Sequence, residues 1–135
     1  MAQSITQRFP RGTTSTTYTY TTQAAIADYT VSTALAAIGS LGQSKVSMIV
    51  DLDSVAGTPD SYALDCKLQY TLDGTNWTDL TSGGISQITT VTQATVLQKD
   101  ISTFFAIRPM VKLAFTGGTS PTATFTVSVV TTPQT

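Results

Sequence analysis

The segment Leu64–Leu80, with the sequence LDCKLQYTLDGTNWTDL, constrains the fold more than any other part of the chain. Between residues 64 and 72, apolar side chains occupy the even positions and polar side chains the odd ones. A period of two is typical of a strand with one buried and one solvated face. Asp73-Gly74 then supplies a tight turn, and the returning strand begins at Trp77. We therefore expect an antiparallel hairpin over a hydrophobic core, with Trp77 as a core anchor.

Similar alternation recurs along the chain and indicates an all-β fold. Strands are predicted at residues 28–36, 45–53, 62–72, 104–115 and 123–130, with one or two more within 85–97. Threonine, which suits strands, makes up about one residue in five, and glutamate, a helix former, is absent. Pro109 has no N–H for a ladder and predicts an edge strand or a bulge. Roughly six to eight strands about ten residues apart predict an antiparallel β-sandwich, either Ig-like or jelly-roll.

Residues 1–23 differ in composition from the rest, and we interpret them as an extended N-terminal arm ahead of a sandwich domain at 24–135. A chain end with few apolar groups to bury is typical of a disordered tail. Alternation of tyrosine with threonine equally favours an arm that pairs with a neighbouring subunit by strand addition. Both interpretations stay open. The second predicts five contact residues in the arm: Arg8, Phe9, Arg11, Tyr18 and Tyr20.

The residue composition argues against an enzyme. Histidine is absent, so no side chain titrates near neutrality at its ordinary pKa, and no imidazole is available to a metal. The single cysteine, Cys66, has the parity of the core-facing leucines and no histidine to act as its base. This is typical of a buried structural thiol rather than a nucleophile. We predict no catalytic residue and no cofactor.

Three local patterns resemble sites, and each has a plainer interpretation. Asp51, Asp53 and Asp60 flank a loop, but their spacing matches no complete calcium loop. Asn76 opens a glycosylation sequon, which arises easily in a threonine-rich chain, and we interpret it as turn chemistry. The two aspartates near the Asp-Gly turn favour solvated loop ends over a glycosidase pair. We predict no metal site.

Charge and hydropathy argue against two further classes of partner. The net charge is −1, the pI is about 4.9, and the seven Lys and Arg residues are scattered. This pattern predicts no nucleic-acid binding. No apolar run approaches the roughly 20 residues of a membrane span. The N-terminus lacks the basic-then-apolar layout of a signal peptide, so we expect a protein made in the cytoplasm with no membrane partner.

Three stretches together resemble small β-sandwich proteins of tailed bacteriophages. They are Leu68–Leu80 with its D-G-T-N-W-T-D-L turn, Ile107–Phe115, and the G-T-S-P turn at 118–121 with the strand that follows. Such proteins include capsid decoration, or cement, proteins and head fibres. The resemblance implies a virion structural protein that binds the assembled major capsid protein on the outer capsid surface and stabilises the shell. It also implies a homo-oligomer, with a trimer favoured, whose arm contacts the capsid or an adjacent protomer.

Two alternatives from other classes stay open. A carbohydrate-binding or adhesin module on a tail or fibre would need exposed aromatic rings. Of the tyrosines at 18, 20, 29, 62 and 70, most have inward parity or lie in the predicted arm. A tail or neck subunit would assemble with ring symmetry rather than as a trimer. Only 11% of the residues are charged, against roughly 25% in typical domains. A threonine-rich surface of low charge suits many small hydrogen bonds to capsid subunits, which favours the decoration protein.

Overall fold

The structure, a computed structural model, describes residues 14–30, 43–92, 97–100 and 106–133. The described residues form eight β-strands and no helix. In chain order the strands are β1 (Thr14–Gln23), β2 (Ile26–Thr30), β3 (Gln43–Ala56), β4 (Ser61–Thr71), β5 (Trp77–Gly84), β6 (Leu97–Asp100), β7 (Ala106–Thr116) and β8 (Thr122–Pro133). The all-β prediction is confirmed, and β3, β4, β7 and β8 correspond to four of the predicted strands.

The two weaker strand predictions are met only in part. Of the strand predicted at 28–36, residues up to Thr30 lie in β2, and the remainder falls outside the described residues. Within 85–97, Ile88 forms a single bridge to Leu64, and β6 begins only at Leu97. Residues 93–96 are outside the described part of the chain.

The strand pairing is that of one long antiparallel hairpin, bent so that its strands form two sheets. β1 pairs with β8, β2 with β7, β3 with β6 and β4 with β5, all antiparallel. Antiparallel pairing of β3 with β8 and of β4 with β7 joins these pairs into sheets of order β1-β8-β3-β6 and β2-β7-β4-β5. Eight strands arranged in two such sheets form a jelly roll. The predicted antiparallel sandwich is confirmed, and of the two forms left open the pairing selects the jelly roll.

The hydrophobic core lies between the sheets and follows the predicted alternation except at the end of β4, where Thr71 is buried and Leu72 is 66% exposed. The prediction that Leu72 faces the core is wrong because the alternation ends with β4. On β3, β4 and β8, alternate side chains are buried, among them Val50, Leu68 and Val127. Phe125 is the largest fully buried side chain among the described residues, and the ring of Tyr20 stacks on it with centroids 4.5 Å apart. Full burial of such a side chain contributes about 1.5–3 kcal/mol. The core therefore specifies strand register, because a slip by one residue would expose apolar side chains to water.

Residues 14–23 belong to the sandwich and not to an arm. β1 keeps a regular register with β8 over residues 14–20, and Tyr18 and Tyr20 are members of the core cluster. The predicted domain boundary at residue 23 is therefore wrong, and the side chains of both tyrosines lie in the core rather than on a subunit contact surface. Alternate tyrosines place two rings on one side of a strand, which is enough apolar area to hold it against the core. The other predicted arm contacts lie outside the described residues: Arg8, Phe9 and Arg11.

Pro109 lies in an inner strand, where an edge or a bulge was expected. β7 runs between β2 and β4, and its register with β4 is unbroken over residues 61–71 of that strand. The expectation is wrong for β7 as a whole, which is neither an edge strand nor bulged against β4. At Pro109 itself the position is locally an edge among the described residues, because β2 pairs with β7 only at Leu113 and Val111 and stops short of Pro109. In the described part of the sheet, the missing N–H of Pro109 thus interrupts no ladder with β2.

Candidate functional site

The outer surface of the β1-β8-β3-β6 sheet is lined with small hydroxyl side chains. The even residues of β1, the even residues of β3 as far as Leu52 and the odd residues of β8 point into the core, so the residues between them point outward. The half-buried side chains of Ile49 and Val130 share this outer surface. We define the hydroxyl face as its central Ser and Thr residues, namely Ser15, Thr17, Thr19, Ser47, Thr124, Thr126 and Ser128. The sequence predicted a threonine-rich surface of low charge but not its location, because the face forms only when three distant strands align.

Strand register brings these hydroxyls side by side. Thr126 on β8 lies between Thr19 on β1 and Asp51 on β3. The next pair on the same face lies two residues further along, where Thr17 Oγ1 and Ser128 Oγ are 3.0 Å apart and share a hydrogen bond. The hydroxyls of β1 are exposed and those of β8 are half-buried. Because a hydroxyl both donates and accepts, the face retains capacity for hydrogen bonds to a partner.

The hydroxyl face carries little charge. β1 and β8 contain no Asp, Lys or Arg over their whole length. On β3, the charged residues on or beside the face are Lys45, Asp51 and Asp53. Contact with a partner would therefore strip water from few charges, and removing a charge from water is far more costly than removing a hydroxyl that regains a hydrogen bond. The face is suited to a broad polar contact.

The outer surface of the β2-β7-β4-β5 sheet has a different character. Its side chains include charges, an amide and two aromatic rings, and we call them the ionic face: Tyr29, Asp65, Lys67, Gln69, Trp77, Asp79, Arg108 and Lys112. Gln69 on β4 lies opposite Arg108 on β7 and opposite Asp79 on β5. Side chains from three strands thus meet in one row across the sheet.

The row is closed by hydrogen bonds among its own members. Arg108 donates from Nε and Nη2 to Gln69 Oε1, at 3.0 and 2.8 Å. Gln69 Nε2 donates in turn to Asp79 Oδ1 at 2.7 Å, and Lys67 Nζ donates to Asp79 Oδ2 at 3.1 Å. The hydrogen bonds from Gln69 and Lys67 hold the pKa of the Asp79 carboxyl below its ordinary value, and burial lowers the pKa of Arg108. These groups are occupied with each other, which leaves little capacity for a ligand.

Cations cover both aromatic rings of the ionic face. The guanidinium carbon of Arg108 lies 4.1 Å from the centroid of the Trp77 ring. The Lys67 ammonium lies 4.2 Å from the centroid of the Tyr29 ring, and that of Lys112 lies 5.9 Å from it. Such cation–π contacts contribute about 0.5–1 kcal/mol at exposed sites. The ring face that a cation covers is not open to stacking by a sugar.

Trp77 therefore lies on the ionic face, and the prediction that it anchors the core is wrong. Trp77 pairs with Thr71, which shares the outward parity of Gln69, so the indole points away from the core. The ring is half-buried and is not part of the core cluster of the described residues. The spacing of Trp77 and Leu80 in the sequence indicated that the two side chains lie on opposite faces of the strand. Leu80 packs against the core, and residues three apart in one strand face opposite sides.

Two other residues considered from the sequence have structural roles. Cys66 is a free thiol, and burial raises its pKa to about 12, so almost no thiolate is present to act as a nucleophile. Asp73 accepts hydrogen bonds from the backbone N–H groups of Asn76 and Thr75, each at 2.8 Å. These bonds hold the pKa of the Asp73 carboxyl well below its ordinary range. The Asn76 amide also donates to Asp73, at 2.7 Å, so the predicted turn chemistry is confirmed.

The described residues contain no cluster of three or more His, Cys, Asp or Glu side chains that could hold a metal ion. The aspartates considered for calcium therefore share no site in this part of the chain: Asp51, Asp53 and Asp60. Nor do the described ranges include a helix long and apolar enough to cross a membrane. Tyr62 and Tyr70 are half-buried and pack against the core. Tyr62 also lines a shallow groove of about 320 Å³ whose polar lining includes Asp60 and Gln87.

Comparison with known proteins identifies no family for this chain. No family model matches it, and no curated protein matches it either. Solved structures similar to it include the SPBc2 prophage-derived protein YomS, at 14% identity over 88% of this chain and 96% of that one, with a TM-score of 0.42. The second is a protein of the Bacillus endospore appendages, which are described as disulfide-linked pili. Its identity is 12% over 90% of this chain and 88% of that one, and its TM-score is 0.37.

A third similar structure holds the CBM22-1 and GH10 modules of Clostridium thermocellum endo-1,4-β-D-xylanase 10B, in complex with xylohexaose. The identity is 14% over 92% of this chain and 26% of that one, and the TM-score is 0.36. The three structures thus include a prophage product and an appendage protein. At TM-scores below 0.5, none of these similarities supports an argument about what this chain binds or does.

Proposed function

We propose that this chain is a virion structural protein, namely a capsid decoration protein of a tailed bacteriophage. In this role it is a homo-oligomer without catalytic activity that binds the assembled major capsid protein on the outer surface of the shell. The observation that supports the proposal is the hydroxyl face, which lines the outside of one sheet with Ser and Thr and has no charged residue on β1 or β8.

The hydroxyl face suits contact with a broad and repetitive protein surface. Hydroxyl groups donate and accept, so they match exposed backbone and polar groups in more than one arrangement. A single hydrogen bond contributes only about 0.5–1.5 kcal/mol net. Affinity in this mode therefore comes from many weak contacts made at once, and a shell presents the same contacts at every equivalent position.

The ionic face is less suited to such a contact. The side chains of its Lys67–Asp79 ion pair are 26% and 57% exposed. A partner that covered this pair would remove water from two charges that are already paired, and the desolvation would offset much of the gain. On the hydroxyl face, β1 and β8 carry no charged residue, which is why we assign the capsid contact to it.

Binding to the assembled lattice explains how a small protein without chemistry of its own stabilises a shell. A ligand that binds the assembled state and not the free subunits shifts the equilibrium toward assembly by mass action. At a free concentration of about 100 times Kd, the shift is about 2.7 kcal/mol per site. No covalent or catalytic step is needed.

The test uses the purified full chain with two probes: assembled shells and unassembled capsid subunits of the virus whose genome encodes it. We expect the chain to sediment with the shells, to saturate at a fixed copy number and to leave the subunits unbound. We also expect saturated shells to withstand a higher temperature than bare shells. Equal affinity for free subunits, or no change in thermal resistance at saturation, would contradict the proposal.

A second candidate function, carbohydrate binding by a tail or fibre adhesin, is favoured by the groove at Tyr62. The groove places a half-buried ring beside the exposed polar side chains of Asp60 and Gln87, and its volume of about 320 Å³ lies at the lower end for ligand sites. A glycan array probed with the wild-type chain, Tyr62→Leu and Gln87→Ala tests it. Binding of one glycan class that both variants weaken supports this function, and a wild-type chain that binds none removes it.

A further inference from the structure

We infer that the free edge of β1 is an interface between two copies of this chain, which pair β1 against β1 in antiparallel fashion about a twofold axis. The pairing joins two four-stranded sheets into one sheet of eight strands. This inference concerns self-association and does not depend on the proposed capsid contact.

β1 is the outermost strand of the β1-β8-β3-β6 sheet. It pairs with β8 on one side, and within the described residues no strand pairs with its other side. In an antiparallel sheet, the N–H and C=O groups of alternate residues point to the same side. A strand of ten residues therefore presents a row of backbone donors and acceptors along its free edge.

The other three edge strands carry features that discourage pairing. The described part of β6 includes Lys99 and Asp100. The described part of β2 includes Asp28 and has an irregular register with β7. β5 has a register shift against β4 and ends in two glycines. Charge and irregularity are among the features by which natural proteins protect sheet edges.

β1 has none of these devices over most of its length. Its sequence, TSTTYTYTTQ, contains no charged residue and no proline. Its register with β8 is regular over residues 14–20, and the irregularity comes only between Tyr20 and Gln23. The core burial of Tyr18 and Tyr20 holds the strand in place before any partner arrives. Little ordering entropy is then lost on pairing, which favours association.

A second copy of β1 complements this edge better than a charged partner strand would. Twofold antiparallel pairing places the strand opposite itself, and a strand without charge meets no like-charge repulsion in that arrangement. The outward residues facing each other across the axis are threonine and serine, namely Ser15, Thr17 and Thr19. Pairing across the axis would also make the hydroxyl faces of the two copies continuous.

The first test is the mass of the full chain in solution by sedimentation equilibrium. We expect a dimer of about 28 kDa, twice the 14.2 kDa of one chain. Thr19→Lys adds a charge beside the shared edge in each copy and should raise the dissociation constant roughly tenfold or more, which corresponds to about 1.4 kcal/mol. The matched control is Thr126→Lys. Thr126 is the register partner of Thr19 on β8, so it adds the same charge to the same face inside the sheet and should leave the dimer intact.

The second test locates the axis by disulfide cross-linking of Ser15→Cys, Thr17→Cys and Thr19→Cys, each made separately. Residues directly opposite on neighbouring strands have Cβ atoms about 4.5–5.5 Å apart, close enough for small shifts to allow a disulfide. We expect one of the three positions to give the highest yield of covalent dimer, and Thr126→Cys to give none. Circular dichroism confirms that each variant is folded before it is compared.

The outcomes separate this interface from the other possible ones. A dimer that Thr19→Lys weakens and that cross-links at β1 supports the inference. A wild-type chain that stays monomeric at high concentration, a trimer, or a dimer that neither responds to Thr19→Lys nor cross-links through β1 overturns it. A β1 edge that pairs only with a capsid subunit would appear as a monomer here. Shell binding is measured separately, so failure of this interface and failure of the capsid contact can be distinguished, and a monomer would remove only the homo-oligomer from the proposed function.

Discussion

The hydroxyl face and the ionic face cover the two sides of one sandwich, and they differ in how their polar groups are satisfied. On the ionic face, Arg108, Gln69 and Asp79 bond to one another across three strands. On the hydroxyl face, Thr17 bonds to Ser128, and the Thr124 hydroxyl accepts a hydrogen bond from the backbone N–H of Thr22. A surface rich in charges and rings can therefore be structural, while a plainer surface keeps its hydrogen-bonding capacity for a partner.

The largest expected effect separates the core from the ionic face. Phe125→Ala should lower the free energy of unfolding by about 3–5 kcal/mol, because the ring is fully buried. Trp77→Ala should cost about 1–2 kcal/mol, since it removes a half-buried ring and its contact with Arg108. Urea unfolding followed by circular dichroism measures both. Equal losses would mean that Trp77 contributes as a core residue.

The second prediction compares side-chain coupling on the two faces. A double-mutant cycle of Arg108→Ala and Gln69→Ala should give an interaction energy of about 1–2 kcal/mol, because a charged donor makes two hydrogen bonds to one oxygen. The matching cycle of Thr17→Ala and Ser128→Ala should give about 0.5 kcal/mol, since both partners are neutral and Thr17 is exposed. Coupling as strong on the hydroxyl face would remove the contrast between the two surfaces.

Alternation in the sequence was sufficient to predict β3, β4 and β8 with their buried sides, because a period of two is a local property of the chain. The jelly-roll pairing was not predictable in this way. Thr17 and Ser128 bond across 111 positions, and nothing local specifies which distant strand β1 will join. The tyrosines of β1 did carry a signal, but a tract with so much threonine has little apolar area per residue, which led to the prediction of an arm.

The surfaces were harder to predict than the strands. The row of Arg108, Gln69 and Asp79 depends on the registers of three strands at once, so no single segment contains it. Trp77 was predicted to be buried because a large ring commonly is, but its position in β5 places it on the outer face. The inward position of Leu80, three residues later in the same strand, was enough to predict that outward position. The general point is that residue type predicts burial less well than position in an alternating strand.

The third prediction concerns the hydroxyl of Tyr18, which lies on β1 but points into the core rather than toward the hydroxyl face. The Tyr18 hydroxyl is buried without a hydrogen-bond partner, and burial raises its pKa to about 12. Tyr18→Phe should raise the free energy of unfolding by about 1 kcal/mol, because an unsatisfied polar group is removed. The control is Tyr20→Phe, whose hydroxyl is not buried without a partner. A loss of stability in Tyr18→Phe would show that this hydroxyl is satisfied.

The fourth prediction uses acid to weaken the ionic face. Hydrogen bonds from Gln69 and Lys67 lower the pKa of Asp79 in the folded chain, whereas the unfolded value is about 3.9. The contribution of Asp79 is therefore complete above about pH 4 and is lost as the pH falls through the lower, folded value. Unfolding free energies measured across this range should show a shallower acid dependence for Asp79→Asn than for the wild type. An unchanged dependence would mean that the network does not stabilise the ionised carboxylate.

The variant with the smallest expected effect on the free energy of unfolding, Thr126→Lys, should have the largest effect on binding to the capsid shell. Thr126→Lys adds a charge to the hydroxyl face without breaking a described hydrogen bond, so it should change the free energy of unfolding by only about 0.5 kcal/mol. Asp79→Asn is the matched variant on the ionic face. Comparing these two variants tests which side of the sandwich contacts the capsid shell.

The most direct measurement is the occupancy of assembled capsid shells by the wild-type chain, Thr126→Lys and Asp79→Asn under the same conditions. We predict that Thr126→Lys binds roughly tenfold or more weakly, a loss of about 1.4 kcal/mol, while Asp79→Asn binds like the wild type. Wild-type occupancy by Thr126→Lys, with loss of binding in Asp79→Asn, would contradict the assignment of the capsid contact to the hydroxyl face.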